Sequence, residues 1–303
     1  MRRRLAEMGD AAAPNVPETV RVHSGSALKF SEIDRVTRNS YTPIVFLTGD
    51  VKSGKTTLLG SIHDAFLFGP LCGYLFAGSE TLIAFEERCF EARARSGATV
   101  ADTPRTRYES GQEYLHLKLR KAGPEQPFKN LLFADMSGEF YERAVLSVGE
   151  LAEFQVLRRS DYLVLLLDGQ KLMDDTQRHK VRHQGSQFVR RCREEGLLKD
   201  TTALQVLISK WDLVLDALKP DPQKHLDFVT SQFNPAVLGR QVSVTPVASR
   251  PAPGSKVDKL SGVKPLFAEW VEATPFAVRP SNVEISIPAA KRNFNRIHSL
   301  RFL

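Results

Sequence analysis

The sequence predicts an α/β fold of three layers, a mostly parallel sheet with helices on both faces. Three observations predict it. Short, continuous apolar runs recur along the chain, as strands buried on both faces would. Helix-like stretches separate those runs, the alternation expected of a parallel sheet. The first run, Ile44-Val45-Phe46-Leu47, enters a loop bearing two glycines and then a helix.

The elements follow in order. After the strand at Ile44, a helix is expected from Lys55 to about Phe66. Ser79 reads as the N-cap of another helix reaching about Arg95, with Leu82, Phe85, Cys89 and Phe90 on one face. A polar loop runs from Ser96 to about Gly111. Tyr114, Leu115, Leu117 and Leu119 mark a strand, and Leu131-Leu132-Phe133-Ala134 a short apolar one. Tyr162–Leu167 is the strongest buried strand, and Thr176 to about Glu195 is polar and helix-like. Leu204–Ile208 and Val242–Val247 read as strands, and Val263–Ala273 as a closing helix.

The organisation around these elements is also legible. Residues 1–18, rich in Ala, Pro and Arg without periodicity, read as a disordered leader. Residues 19–42 form a lead-in segment, 43–277 the main domain, and 278–303 a basic extension carrying Lys291, Arg292, Arg296 and Arg301. The segment between the first helix and the Leu131 strand is long enough to hold an insertion.

Composition excludes several classes. In 303 residues, 42% are hydrophobic and 25% charged, which is ordinary for a protein with a sizeable core. The net charge is +7, but 35 acidic residues are interleaved with the basic ones, so no specific nucleic-acid partner is read from charge. Cys72, Cys89 and Cys192 lack CxxC spacing, which argues against a disulfide framework or zinc site and for a reducing, cytoplasmic setting. Met1-Arg2-Arg3-Arg4-Leu5 has no apolar stretch behind it and does not read as a secretory signal. No run reaches the roughly 18 apolar residues of a membrane span. Phe66–Gly78 comes nearest, broken by Gly69-Pro70 and Gly73, and reads as core.

Gly49-Asp50-Val51-Lys52-Ser53-Gly54-Lys55-Thr56 fits G-x-x-x-x-G-K-[ST] between a strand and a helix. The glycines let the backbone wrap a β-phosphate, and successive N–H groups at the helix start face the anion. Lys55 reaches the β- and γ-oxygens, the Thr56 hydroxyl can ligate Mg²⁺, and Thr57 lies near the α-phosphate. Asp135-Met136-Ser137-Gly138-Glu139 then ends an apolar strand. Asp135 there can hold a Mg²⁺-bound water, and Gly138 can offer its N–H to a γ-phosphate and flip when that phosphate leaves.

Ser209-Lys210-Trp211-Asp212 closes another strand. Guanine presents two adjacent donors, N1–H and the 2-amino group, and the Asp212 carboxylate can accept both. Adenine presents an unprotonated N1 at that edge, which a carboxylate repels. The stem of Lys210 can lie over the base, and the Ala248 N–H, before Ser249, can donate to guanine O6. These features favour GTP over ATP, with a P-loop ATPase as the alternative.

Four signatures in this order, Gly49–Thr56, Asp135–Gly138, Ser209–Asp212 and Ala248-Ser249, resemble the TRAFAC-class GTPases. More narrowly, the chain resembles the second type of bacterial double-GTPase over about residues 40–275. The stretches that carry this are Gly69-Pro70, Phe76-Ala77-Gly78-Ser79, Phe85-Glu86-Glu87-Arg88-Cys89, Asp102-Thr103-Pro104-Arg105-Thr106 and Phe133–Glu139. The resemblance implies a three-layer P-loop NTPase fold of Ras-like type. It implies Mg²⁺ with GTP or GDP, and GTP hydrolysis working as a molecular switch. It implies a bacterial conflict or signalling setting, beside a second GTPase or GTPase-associated proteins. A threonine of the polar loop should then cap Mg²⁺, Thr106 or alternatively Thr103, and Arg105 or Arg107 could serve as an arginine finger in cis. Two departures stand out. Ser209 replaces the usual Asn or Thr, and Glu139 replaces a water-orienting Gln, which leaves a module with little hydrolysis as the alternative to a working GTPase.

Overall fold

The computed structural model describes residues 24–94, 112–147, 149–217, 222–233, 239 and 241–275. Two compact units divide the chain, Met1–Ala273 and Thr274–Leu303, and every element below belongs to the first. The predicted leader at 1–18, most of the polar loop with Thr103, Arg105, Thr106 and Arg107, and the basic extension at 278–303 lie outside the described residues.

Seven strands form one sheet: β1 Ile44–Gly49, β2 Tyr74–Gly78, β3 Glu113–Lys121, β4 Phe128–Asp135, β5 Tyr162–Asp168, β6 Ala203–Ser209 and β7 Val242–Pro246. Their order is β2-β3-β4-β1-β5-β6-β7. From β4 through β7 every pairing is parallel, whereas β2 and β3 join antiparallel. The helices are α1 Asp34–Thr37, α2 Lys55–Phe66, α3 Leu82–Ala94, α4 Gly138–Leu146, α5 Gly169–Met173, α6 Arg178–Glu194, α7 Trp211–Asp216, α8 Pro222–Gln232 and α9 Val263–Glu272.

The strand period of two explains the three layers. Ile44 and Phe46 of β1 enter one core, with Phe140 of α4 and Phe188 of α6. Val45 and Leu47 enter the opposite core, with Leu58 and Ile62 of α2 and Trp270 of α9. Both faces are thus covered, which is why the central strands read as unbroken apolar runs. The lead-in segment also joins this body. Leu28, Ile33 and Val36 are buried, and Leu28 exchanges backbone hydrogen bonds with Tyr114 of β3 at 2.9 and 3.0 Å.

Two expectations change. Phe66–Gly78 contains an edge strand, β2, which the glycines had concealed as irregular core. In α3 the buried face is Ala84, Phe85, Arg88 and Cys89, while Leu82 is 42% and Phe90 68% exposed. At 100° per residue, positions 85 and 89 share a face and 90 falls on the far side, whereas 82 lies at the margin of the buried arc and is exposed as the first residue of the helix. A third expectation changes with them: Ser79 is not the N-cap, since α3 begins at Leu82, directly after Thr81. The Ser79 hydroxyl donates to the His116 carbonyl at 2.5 Å and accepts from the Thr81 N–H at 2.8 Å, and Thr81 Oγ1 accepts the His116 N–H at 2.9 Å. Those bonds pin the entry of α3 onto β3.

Candidate nucleotide site

All the predicted site residues that fall within the described chain gather at the C-terminal ends of the parallel strands. Gly49 ends β1, Asp135 ends β4, Ser209 ends β6, and Ala248 follows β7. That edge is where open α/β sheets bind ligands, because helix N-termini and strand-end loops converge there.

The phosphate loop turns between β1 and α2. Gly49 has φ 142°, and a Cβ there would lie 2.3 Å from the Leu166 carbonyl oxygen, so glycine is required. Lys52, at φ 63°, and Gly54, the left-handed N-cap of α2, complete the wrap. Lys55 is buried beneath it, its Nζ donating to the Gly49 carbonyl at 2.7 Å and the Asp50 carbonyl at 3.0 Å, and lying 3.4 Å from Ser53 Oγ. Burial pushes the ammonium down to about 8, against the pull of the Asp135 and Asp50 carboxylates. Thr56 and Thr57 are half-buried in the first turn of α2.

Asp135 faces this lysine from β4. It is 1% exposed, and neither carboxylate oxygen has a hydrogen-bond partner. Burial raises its pKa, with Lys55 and Arg88 opposing. An orphaned carboxylate at such depth is costly and marks a place for a cation or its bound water. A divalent cation is the kind of partner a buried, unpartnered carboxylate takes, and the predicted second donor, Thr56, lies in the first turn of α2 next to Lys55. Among the described residues, no cluster of three His, Cys, Asp or Glu side chains offers an all-protein cage.

Gly138 opens α4 hard against the phosphate loop. A Cβ there would lie 2.5 Å from the Val51 nitrogen and 2.6 Å from its Cα, so any side chain would force the loop and α4 apart. Ser137 caps that helix by accepting the Phe140 N–H at 3.2 Å, and Glu139, half-buried, occupies the first turn.

The segment Ser209–Asp212, where the sequence predicts a base reader, is similarly anchored. Ser209 lies against Gly54, whose added Cβ would meet the Ser209 Cβ at 3.6 Å. Its hydroxyl donates to the Leu167 carbonyl at 3.2 Å, tying β6 to β5. Lys210 takes a left-handed conformation and sends Nζ to Asp168 at 2.7 Å. Asp212 is buried, and one oxygen accepts the Ala252 N–H at 2.9 Å, which fixes the carboxylate's direction while leaving acceptor capacity. The Ala248 N–H departs from expectation. It donates to the Ser261 carbonyl at 3.0 Å and so is not free for a base in this conformation.

Sequence reasoning missed two residues here. Asp168 caps α5 by accepting the Gln170 and Lys171 N–H groups at 3.0 and 3.4 Å, besides holding Lys210. Lys171 pairs with Asp50 of the phosphate loop. The signal available was Asp168-Gly169 directly after the strongest strand, a helix-start pattern.

The sequence model of the family described as Double-GTPase 2 matches residues 43–271. No curated protein matches the chain. Among solved structures, the GTPase-like domain of S. cerevisiae Ski7, bound to GDP and inorganic phosphate, is similar at 13% identity and TM-score 0.44, over 79% of this chain and 51% of that one. The SRb-GTP/SRX signal recognition particle receptor complex of Chaetomium thermophilum is similar at 14% and 0.38, over 77% and 97%. Sup35 complexed with GMPPNP is similar at 15% and 0.38, over 77% and 45%. The chain therefore spans about half the length of the Ski7 chain it matches.

Proposed function

We infer the chemistry from the premise that the chain belongs to the Double-GTPase 2 family. It is a GTP-binding protein of that family, and we propose that it hydrolyses GTP to GDP as a switch. The observation that carries this is Asp135, fully buried with two unpartnered oxygens, opposite the buried Lys55 of the phosphate loop. Such a pair has no purpose in an apolar core and suits a site completed by a polyanion and its cation.

Lys55 leaves the loop carbonyls for the β- and γ-oxygens and stabilises the charge that develops between them. The N–H groups of the loop cradle the phosphates. Thr56 and Asp135 would hold Mg²⁺, which when bound neutralises charge on the β- and γ-oxygens. Thr106, or alternatively Thr103, supplies the switch hydroxyl. Gly138 presents its N–H to the γ-phosphate, and Glu139 beside it orients the attacking water. Asp212 accepts guanine N1–H and the 2-amino group. Loss of the γ-phosphate then releases Gly138 and the start of α4, changing the surface offered to partners.

Those partners are a second GTPase or GTPase-associated proteins in a bacterial conflict or signalling system, a setting drawn from the family resemblance. Three sparse cysteines, none of them in a disulfide, suit a reducing cytoplasm. Among the described residues no helix is long and apolar enough to cross a membrane.

Phosphate release with Mg²⁺ and GTP tests the reaction. The unaltered chain, alone or with its partner GTPase, should turn over, and Lys55→Ala should lower the rate by about 100-fold or more. Tight GTP binding with no release above the Lys55→Ala level would leave the interaction module with little hydrolysis, for which Glu139 is the motive.

A further inference from the structure

The phosphate loop carries an acid at its first variable position, Asp50. A carboxylate in a loop that wraps phosphates adds negative charge close to an anionic ligand, and like charges at close range oppose binding. Lys171 answers it. Its ammonium pairs with Asp50 Oδ2 and lies 3.4 Å from the Val51 carbonyl, while Asp50 Oδ1 accepts the Val51 N–H at 2.6 Å. The lysine thus meets both the acid and the peptide that follows it. Asp50 is 10% and Lys171 28% exposed at the side chain, so water screens the pair weakly.

We propose that Lys171 is a positioning residue of the nucleotide site, acting through Asp50 to neutralise the floor of the phosphate loop and hold the Val51 peptide for the triphosphate. This rests on the reading of Gly49–Thr56 as a GTP site. Two further contacts support it. Lys171, at the Val51 carbonyl, and Gly138, at the Val51 nitrogen and Cα, brace the same residue from two sides of the chain. Glu142 of α4 shares a hydrogen bond with Asp50, which joins the same carboxylate to the helix that Gly138 begins. Burial opposes ionisation of Asp50, yet the hydrogen bond and charge of Lys171 hold its carboxyl below the ordinary range. Lys171 comes from α5, directly after the Asp168 that anchors Lys210. One short segment therefore supports both the phosphate loop and the base-reading loop.

The test is a double-mutant cycle on the full chain, with GTP and GDP affinities measured for the unaltered protein, Lys171→Met, Asp50→Asn and the double variant. Lys171→Met should weaken GTP binding by on the order of tenfold or more, because it leaves a carboxylate unpaired beside the phosphates. In the Asp50→Asn background the same change should cost less than about threefold, since the loop's own carboxylate charge is gone. Lys171→Arg should keep most of the affinity. Equal GTP affinity for Lys171→Met and the unaltered chain would overturn the inference. So would a full loss in both backgrounds, which would mean that Lys171 touches the nucleotide itself or serves only stability. If Lys171→Met does not fold, the double variant still decides, because it must bind GTP within about threefold of Asp50→Asn. Absence of GTP binding by the unaltered chain would instead defeat the reading of the site.

Discussion

Lys55 has a different protonation balance before and after a nucleotide arrives. Burial pushes its ammonium down to about 8, with Asp135 and Asp50 offsetting part of the effect. A polyphosphate restores the charged form, so binding takes up a proton at any pH above about 8. Affinity for GTP should hold its full value below pH 8 and decline as pH rises above it, up to tenfold per unit. Fluorescent-nucleotide titrations from pH 7 to 9.5 would show this, and a flat profile would contradict it. At this scale the sequence was informative wherever the chemistry was local. Gly49–Thr56 is eight consecutive residues, and Asp135–Gly138 four, so pattern and strand context placed them together. Lys171 and Asp50 are 121 positions apart, and nothing in either neighbourhood announces the pair. The Ala248 donor was misjudged for the same reason, since its partner Ser261 belongs to a later turn.

Among the elements, the central strands were legible because burial on both faces writes an unbroken apolar run. The two edges differed: β7 was read from its run at Val242–Val247, and β2 was not. β2 pairs on one side only and is mostly half-buried, so its composition carries less signal. α3 has apolar residues on two arcs, and periodicity alone did not say which arc meets the core. The closing helix α9 gives the clearest energetic test. Trp270 is fully buried against the edge of Phe133 at 5.9 Å between centroids, and its Nε1 donates to Gln205 Oε1 at 2.8 Å. Trp270→Ala removes that packing and leaves the Gln205 oxygen without this donor. It should lower unfolding free energy by about 3–5 kcal/mol, read in denaturant melts. A loss under about 1 kcal/mol would mean that α9 is not integral to the core on the α2 side of the sheet.

For the molecule as a whole, the architecture explains why residues far apart in sequence meet. Parallel strands all end at one edge, so Gly49, Asp135, Asp168 and Ser209 arrive there by topology rather than by sequence proximity. The two opposing cores hold that edge rigid, while the site itself keeps unmet potential in the orphaned oxygens of Asp135. The central claim is that this edge reads a guanine nucleotide through Asp212. Competition at equilibrium tests it most directly, with unlabelled GTP, ATP and XTP each displacing a fluorescent GTP in Mg²⁺ from the full chain and from Asp212→Asn. GTP should displace at least about 100-fold better than ATP on the unaltered chain, and Asp212→Asn should shift preference toward XTP, whose edge suits an amide. Displacement by ATP as effective as by GTP, or an unchanged preference in Asp212→Asn, would contradict the account.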